Sequence, residues 1–157
     1  KEFGSEHGLD RVLAIQSYIA NNINNYHVDL KHNGYSYRNA DKVWQSNGGT
    51  KIEKIFLFTG LLNHFNIKAL PVAVVNQNLY KKSIGNAELY NNYLVKVTLD
   101  DKDYFLPADN TKNDNQYGFS ILSNHGICMG INGNKKSETY LTPPPVPYTV
   151  LQCESSF

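Results

Sequence analysis

The first 45 residues contain two stretches whose apolar side chains recur at the spacing of an α-helix. Residues 9–23 predict a first helix, because their aliphatic positions fall near helical spacing. These positions are Val12, Leu13, Ile15, Ile19 and Ile23. Residues 39–45 predict a short second helix, in which Asn39 is the N-cap residue and Val43 and Trp44 face inward.

A longer apolar pattern follows the chain-breaking sequence Asn47-Gly48-Gly49 and predicts the main helix over residues 51–66. Its apolar face is so broad that we expect this helix to be buried at the centre of the fold. That face comprises Ile52, Ile55, Phe56, Phe58, Leu61, Leu62 and Phe65. Asn66 is expected to end the helix in the left-handed backbone conformation.

The pattern then changes to the period of a β-strand. A short valine-rich run predicts a strand over residues 69–75. Alternating residues over 93–99 predict a half-buried strand, and a turn of two aspartates and a lysine joins it to a third strand over 103–107. One more short strand is expected at 118–122 or at 126–129.

The order of these elements, with helices before an antiparallel sheet, predicts the α+β fold class. We expect residues 1–157 to form a single domain, since domains commonly have about 100–200 residues. Its core is expected at about residues 9–110, followed by an extended C-terminal segment over 111–157. Within that segment the proline-rich run 143–147 favours a polyproline II conformation.

Composition excludes several classes of protein. Apolar residues make up 41% of the chain and aromatic residues 12%, which excludes an intrinsically disordered protein. The formal net charge of +1 gives no electrostatic argument for binding nucleic acid or a membrane surface, because both need a concentrated basic field. No apolar run reaches the length of about 18 residues that a membrane-spanning helix needs, so we expect no membrane insertion.

The chain begins at Lys1 and its only methionine is Met129, so we expect a processed protein or a domain excised from a longer one. Cys128 and Cys153 lack the CxxC spacing of a zinc or redox motif, and we expect buried or idle thiols. A disulfide between them stays open, because it would need an oxidising compartment.

Two stretches resemble the transglutaminase-like superfamily, which has a papain-like core. The first runs from Gly49 into the predicted main helix, through a Leu-Leu pair and an Asn-Ile-Lys-Ala turn, to Val72. The second runs from Asn92 to Pro107 and contains two predicted strands. The resemblance implies a buried central helix packed on an antiparallel β-sheet. It also implies a catalytic Cys at the start of that helix, a His that opens a strand, and an Asp after the next strand.

At these three catalytic positions the resemblance places Lys51, Tyr93 and Pro107. If the alignment shifts by one residue, Thr50 takes the cysteine position, and Asp109 lies two residues beyond the aspartate position. Neither lysine nor threonine supplies a thiol, and tyrosine, with a pKa of about 10, is a poor base near neutral pH. We therefore expect a pseudoenzyme in which the triad is lost.

The resemblance also implies a groove between the start of the main helix and the sheet. Trp44, Lys51, Tyr93 and Asp109 are expected to line it, and an extended peptide or a glycan is the expected ligand. The resemblance is to domains within large bacterial proteins, so flanking domains of the parent protein are expected partners. The expected location, periplasmic or secreted, rests on the resemblance alone.

Two other functions stay open. The chain would be a cysteine peptidase or transamidase if the alignment is wrong and Cys128 or Cys153 is the nucleophile, with His125 close to Cys128 in sequence. Alternatively it is a spacer that docks its neighbours through a hydrophobic patch. The remaining histidines fit no compact set of metal ligands, so neither a metal nor a cofactor is expected. They are His7, His27, His32 and His64.

Overall fold

The computed structural model of the chain describes residues 7–28, 32, 36–76, 79, 90, 92–109, 126–131 and 138–140. Its helices are α1 (Gly8–Asn22), α2 (Ala40–Gln45) and α3 (Lys51–His64). Its strands are β1 (Asn24–Asn25), β2 (Gly48–Gly49), β3 (Ala69–Asn76), β4 (Asn92–Leu99), β5 (Lys102–Leu106), β6 (Gly126–Gly130) and β7 (Glu138–Tyr140). The order of helices and antiparallel strands confirms the α+β fold class.

Helix α3 is the buried central helix that the sequence predicts. Ile55, Phe58 and Leu62 on α3 are almost completely buried. They are buried because α3 packs against α1 and α2 as well as against strands β3 and β4. The C-cap residue is Phe65, and Asn66 follows it with a φ of 59°, the left-handed conformation predicted for the end of this helix.

Strands β3 to β7 form one antiparallel sheet in the order β5-β4-β3-β6-β7. The hairpin between β4 and β5 is confirmed. Its two turn residues, Asp100 and Asp101, have φ values of 47° and 59°. Positive φ at both positions is the geometry of a tight two-residue hairpin turn. Lys102, assigned to the turn from the sequence, pairs instead with Leu99 as the first residue of β5.

Strand β4 is half-buried, as predicted, because one face packs in the core and the polar side chains of the other face are partly or fully exposed. Tyr93, Val95 and Val97 pack in the larger core cluster with residues of the helices. Leu94, on the opposite face, is 0% exposed and packs in a second cluster with Val72. The alternating pattern did not predict this second cluster, because the other side chains on that face of β4 are polar.

The remaining comparison with the sequence predictions concerns four strands, β1, β2, β6 and β7. Strand β6 confirms the second of the two proposed positions, whereas residues 118–122 and 143–147 lie outside the described residues. The sequence analysis missed β7 and the small parallel sheet formed by β1 and β2. Strands of two or three residues are too short to show a hydrophobic period. The pairing of β1 with β2 places the end of α1 beside the start of α3.

Candidate functional site

The first turn of α3 holds both residues that the resemblance offers for the cysteine position. Lys51 is the first helical residue and its side chain is exposed. Thr50 is the N-cap residue and is buried. The backbone N–H of Thr50 donates a hydrogen bond to Oε2 of Glu53 at 2.9 Å, so Glu53 caps the helix from its third position.

Glu53 is held in an ion pair with Arg38, and its side chain is only 3% exposed. Nε of Arg38 donates to Oε1 at 3.0 Å, and Nη2 donates to Oε2 at 2.9 Å. The backbone N–H of Arg38 also donates to Oε1, at 2.9 Å. Burial would raise the pKa of Glu53, but the hydrogen bonds from Arg38 and Thr50 outweigh it and lower that pKa from 4.5 to about 2.

The remaining contacts of Arg38 bind three other parts of the chain together. Nη1 donates to Oγ of Ser46 at 3.0 Å, and Nη2 donates to the carbonyl oxygen of Gly48 at 2.8 Å. The guanidinium carbon lies 5.3 Å from the centre of the Tyr26 ring, within the range of a cation–π contact. Arg38 therefore fixes the end of α2, strand β2 and Tyr26 relative to the first turn of α3.

A pocket of about 620 Å³ opens beside this ion pair. Thr50 and Glu53 form its wall on the α3 side, and Lys42 lines it from α2. Tyr26 and Tyr37 also line it, and their side chains are 40% and 37% exposed. The pocket therefore combines a neutralised ion pair with aromatic surface at the N-terminal end of the central helix.

Lys54, one turn into α3, is a buried lysine with defined partners. It is 1% exposed, and its Nζ donates to the carbonyl oxygen of Ile23 at 3.0 Å and to Oδ1 of Asn25 at 2.9 Å. Burial lowers the pKa of Lys54, and the carboxylate of Asp109 acts in the opposite direction. Lys54 thus ties the start of α3 to the end of α1 and to β1.

Two of the predicted groove residues have contacts that relate them to this region. Tyr93 is half-buried on β4, where burial raises its pKa and the nearby phenol of Tyr37 raises it further. Asp109 is exposed just beyond β5 and interacts electrostatically with Lys54. Pro107 is buried, and its carbonyl oxygen accepts a hydrogen bond of 2.7 Å from Nε2 of Gln16.

Trp44 does not face inward, which corrects the sequence prediction. Its side chain is 38% exposed and stacks on Tyr18 of α1, with 5.4 Å between the ring centres. Val43 takes the inward position and is fully buried. None of Trp44, Lys51, Tyr93 and Asp109 is among the residues that line the pocket at Tyr26.

Three of the residues that build this pocket were not predicted from the sequence. Arg38, Tyr26 and Tyr37 lie in a connection between helices, where no periodic pattern marks them. One signal was present, because Arg38 is one of only two arginines in the chain and follows a tyrosine directly. Arginine is the residue best suited to a partly buried ion pair with a carboxylate, because its planar guanidinium can bind both oxygens.

The alternative nucleophiles lie elsewhere or outside the described residues. Cys128 is on β6, where its backbone pairs with that of Val74, and β3 separates β6 from β4. Cys153 and His125 lie outside the described residues. Within the described ranges, no group of three His, Cys, Asp or Glu side chains is placed to hold a metal ion. No helix among those residues is both long and apolar enough to span a bilayer.

The buried central helix packed against an antiparallel sheet, in an α+β order, is the arrangement of a papain-like fold. Two solved structures are similar to this chain. One is a proposed protease from Parabacteroides distasonis, with a TM-score of 0.73 and 21% identity over 92% of this chain and 26% of that chain. The other is a proposed cysteine protease from Cytophaga hutchinsonii, with a TM-score of 0.54 and 14% identity over 90% of this chain and 50% of that chain.

At these identities the similarity concerns the fold alone. The chain spans about a quarter of the first protein and half of the second. No family model and no curated protein sequence matches the chain.

Proposed function

We propose that this chain is a non-catalytic domain of the papain-like fold, a pseudoenzyme that acts as a binding or scaffold module. It belongs to a larger bacterial protein that is periplasmic or secreted, and its partners are the flanking domains of that protein. The surface at the N-terminal end of α3, which corresponds to the active-site groove of a catalytic relative, holds an extended peptide or a glycan.

The observation that carries the proposal is the identity of the residues at the start of α3. A papain-like nucleophile is a thiolate at a helix N-terminus, activated by a neighbouring base. Here Thr50 is the buried N-cap residue and Lys51 is an exposed ammonium, so neither supplies a thiolate. The groups around them serve the structure, since Glu53 has all its hydrogen bonds to Arg38 and Thr50.

The positions of the base and its orienting acid support the same proposal. Burial raises the pKa of Tyr93, so its phenol stays neutral near pH 7 and does not act as a base. The side chain of Pro107 has no acceptor, and its carbonyl oxygen already binds Gln16. Asp109 is exposed, and its carboxylate acts electrostatically on Lys54.

The experiment is an assay of the purified chain with fluorogenic peptides and with an amine donor plus a glutamine-containing acceptor. We expect no turnover above that of the Cys128→Ser, Cys153→Ser double variant, which controls for contaminating enzymes. Turnover that is present in the wild type and absent from the double variant would overturn the proposal. It would establish a cysteine peptidase or transamidase that uses Cys128 or Cys153.

A further inference from the structure

Exposed apolar surface is concentrated in the pocket beside the Arg38–Glu53 pair. Among the described residues, five large apolar side chains are exposed, and three of them line this pocket. They are Tyr26, Val28 and Tyr37. Because large apolar side chains on a soluble surface are usually scattered singly, a cluster of three around one concavity is typical of a binding site.

Two of these side chains are held in place before any ligand arrives. The ring of Tyr26 packs against Gly48 so closely that a Cβ atom there would collide with it, and the guanidinium of Arg38 covers it as well. The ring of Tyr37 meets the edge of Phe56, with 5.8 Å between the ring centres and an angle of 70°. A preformed aromatic surface loses little conformational entropy when a ligand binds to it.

The charges of the pocket favour a ligand that carries a negative group. The carboxylate of Glu53 accepts four hydrogen bonds, all from Arg38 and Thr50, so its charge is neutralised and it has no acceptor left for a ligand. Lys42 contributes a further positive charge from the exposed face of α2. Among the described residues, no carboxylate lies within ion-pair distance of Lys42.

We propose that this pocket binds an extended acidic peptide, which places an apolar side chain against Tyr26, Val28 and Tyr37 and a carboxylate at Lys42. The inference rests on the proposed binding function and names its ligand. Val28 gives the pocket an aliphatic wall that matches a peptide side chain. A sugar is less well matched, because the carboxylate of Glu53, which could accept from its hydroxyls, is already saturated.

The test uses the purified, isotope-labelled chain and a set of defined probes. The probes are acetylated decapeptides in which phenylalanine alternates with glutamate, with lysine or with serine, together with chito- and malto-oligosaccharides. Binding is measured from amide chemical shifts during titration. We expect the phenylalanine–glutamate peptide to bind most tightly and to shift amides around Tyr26 and Tyr37.

Variants locate the site. Tyr26→Ala and Tyr37→Ala are expected to weaken binding about tenfold or more, as truncation of an aromatic anchor does. Lys42→Glu is expected to weaken it about threefold to tenfold and to remove the preference for glutamate over lysine. Leu79→Ala is the control, since Leu79 is another exposed large apolar residue, at 58%, that does not line the pocket. Amide spectra and thermal unfolding verify that each variant is folded.

Three results would overturn the inference. In the first, the phenylalanine–glutamate peptide does not bind. In the second, the peptide still binds after both tyrosine substitutions. In the third, an oligosaccharide binds and both tyrosine substitutions abolish that binding. The last two would leave the proposed binding function intact, with another site or another ligand. Failure of the proposed function would instead appear as cysteine-dependent turnover in the enzymatic assay.

Discussion

Arg38 donates hydrogen bonds to both carboxylate oxygens of Glu53, with Nε 3.0 Å from Oε1 and Nη2 2.9 Å from Oε2. The two residues are 15 positions apart and join the connection before α2 to the first turn of α3. Paired forks of this kind are stronger and more directional than single hydrogen bonds. This ion pair therefore positions the wall of the pocket and the residues at the start of α3.

The Glu53→Gln variant is expected to lose about 1–3 kcal/mol of unfolding free energy at pH 7, because it leaves Arg38, which is 34% exposed, without its counter-charge. The pKa of Glu53, lowered from 4.5 to about 2, means that the folded state favours the ionised form. Wild-type stability should therefore be fully present above pH 4.5 and fall as the pH drops towards 2. Urea unfolding across this range measures both effects.

Asp103→Asn is the control for that acid profile. The pKa of Asp103 is also lowered, because hydrogen bonds from Lys96 and Thr98 outweigh its partial burial. The side chain of Asp103 is 42% exposed, so solvent screens its ion pair and the loss should be small. If Glu53→Gln left the dependence of stability on acidic pH unchanged, that result would contradict the role assigned to the Arg38–Glu53 pair.

The Lys54→Met variant is expected to be less stable by about 1–3 kcal/mol, because the buried carbonyl oxygen of Ile23 loses its donor. Since burial lowers the pKa of Lys54, the unfolded chain binds a proton more tightly than the folded chain. Wild-type stability should therefore gain a contribution as the pH rises towards 10.5, and the variant should lack it. Chemical unfolding at several alkaline pH values measures this.

Lys51→Met is the matched control on the same helix. Lys51 is exposed at the positive end of α3, so its removal should change stability by only about 0.3–1 kcal/mol, in the stabilising direction. If both lysine variants behaved alike, the buried contacts of Lys54 would not contribute as the structure implies.

Tyr93→Phe is expected to remove one step above pH 10.0 from the alkaline titration of the tyrosine side chains. Burial and the nearby Tyr37 raise the pKa of Tyr93 above its usual 10.0, so the folded state favours the neutral phenol. The resulting stabilisation is present below pH 10.0 and is lost as the pH rises through the higher folded-state pKa. Phenolate absorbance measures the step, and Tyr37→Phe should move it to lower pH.

Gly48→Ala is expected to displace the Tyr26 ring, because the added Cβ would overlap it, and to cost about 1–3 kcal/mol. Gly60→Ala is the matched control within α3, where the nearest atom to an added Cβ is that of Ala40 at 3.7 Å. That substitution should stabilise the protein by about 0.5–1 kcal/mol, since alanine favours helix more than glycine does. Thermal unfolding compares the two, and equal midpoints would contradict the close packing of Tyr26.

Local signals in the sequence predicted much of the fold. Asn39 accepts a hydrogen bond of 3.0 Å from the backbone N–H of Lys42, as an N-cap residue should. Asn66 ends α3, and the Asp100–Asp101 turn joins β4 to β5. These features depend on a few neighbouring residues, so one stretch of sequence is sufficient to predict them.

The candidate site was less predictable because its contacts are distant in sequence. Neither the Arg38–Glu53 pair nor the stacking of Trp44 on Tyr18 follows from a local pattern. Trp44 is apolar and adjacent to the buried Val43, so composition favoured an inward position. The burial of Lys54 could not be predicted from the sequence either, since lysine is almost never fully buried unless its charge is paired.

The most direct test of the non-catalytic proposal is the rate at which iodoacetamide alkylates Cys128 and Cys153 at pH 6. An activated cysteine is already a thiolate at that pH and reacts fast, whereas an ordinary thiol with a pKa of about 8.5 does not. The measurement compares the folded chain with the same chain in urea, and mass spectrometry resolves the two residues. We expect both thiols to react no faster in the folded chain than in urea. If either cysteine is alkylated rapidly in the folded chain and slowly in urea, that result would contradict the non-catalytic proposal.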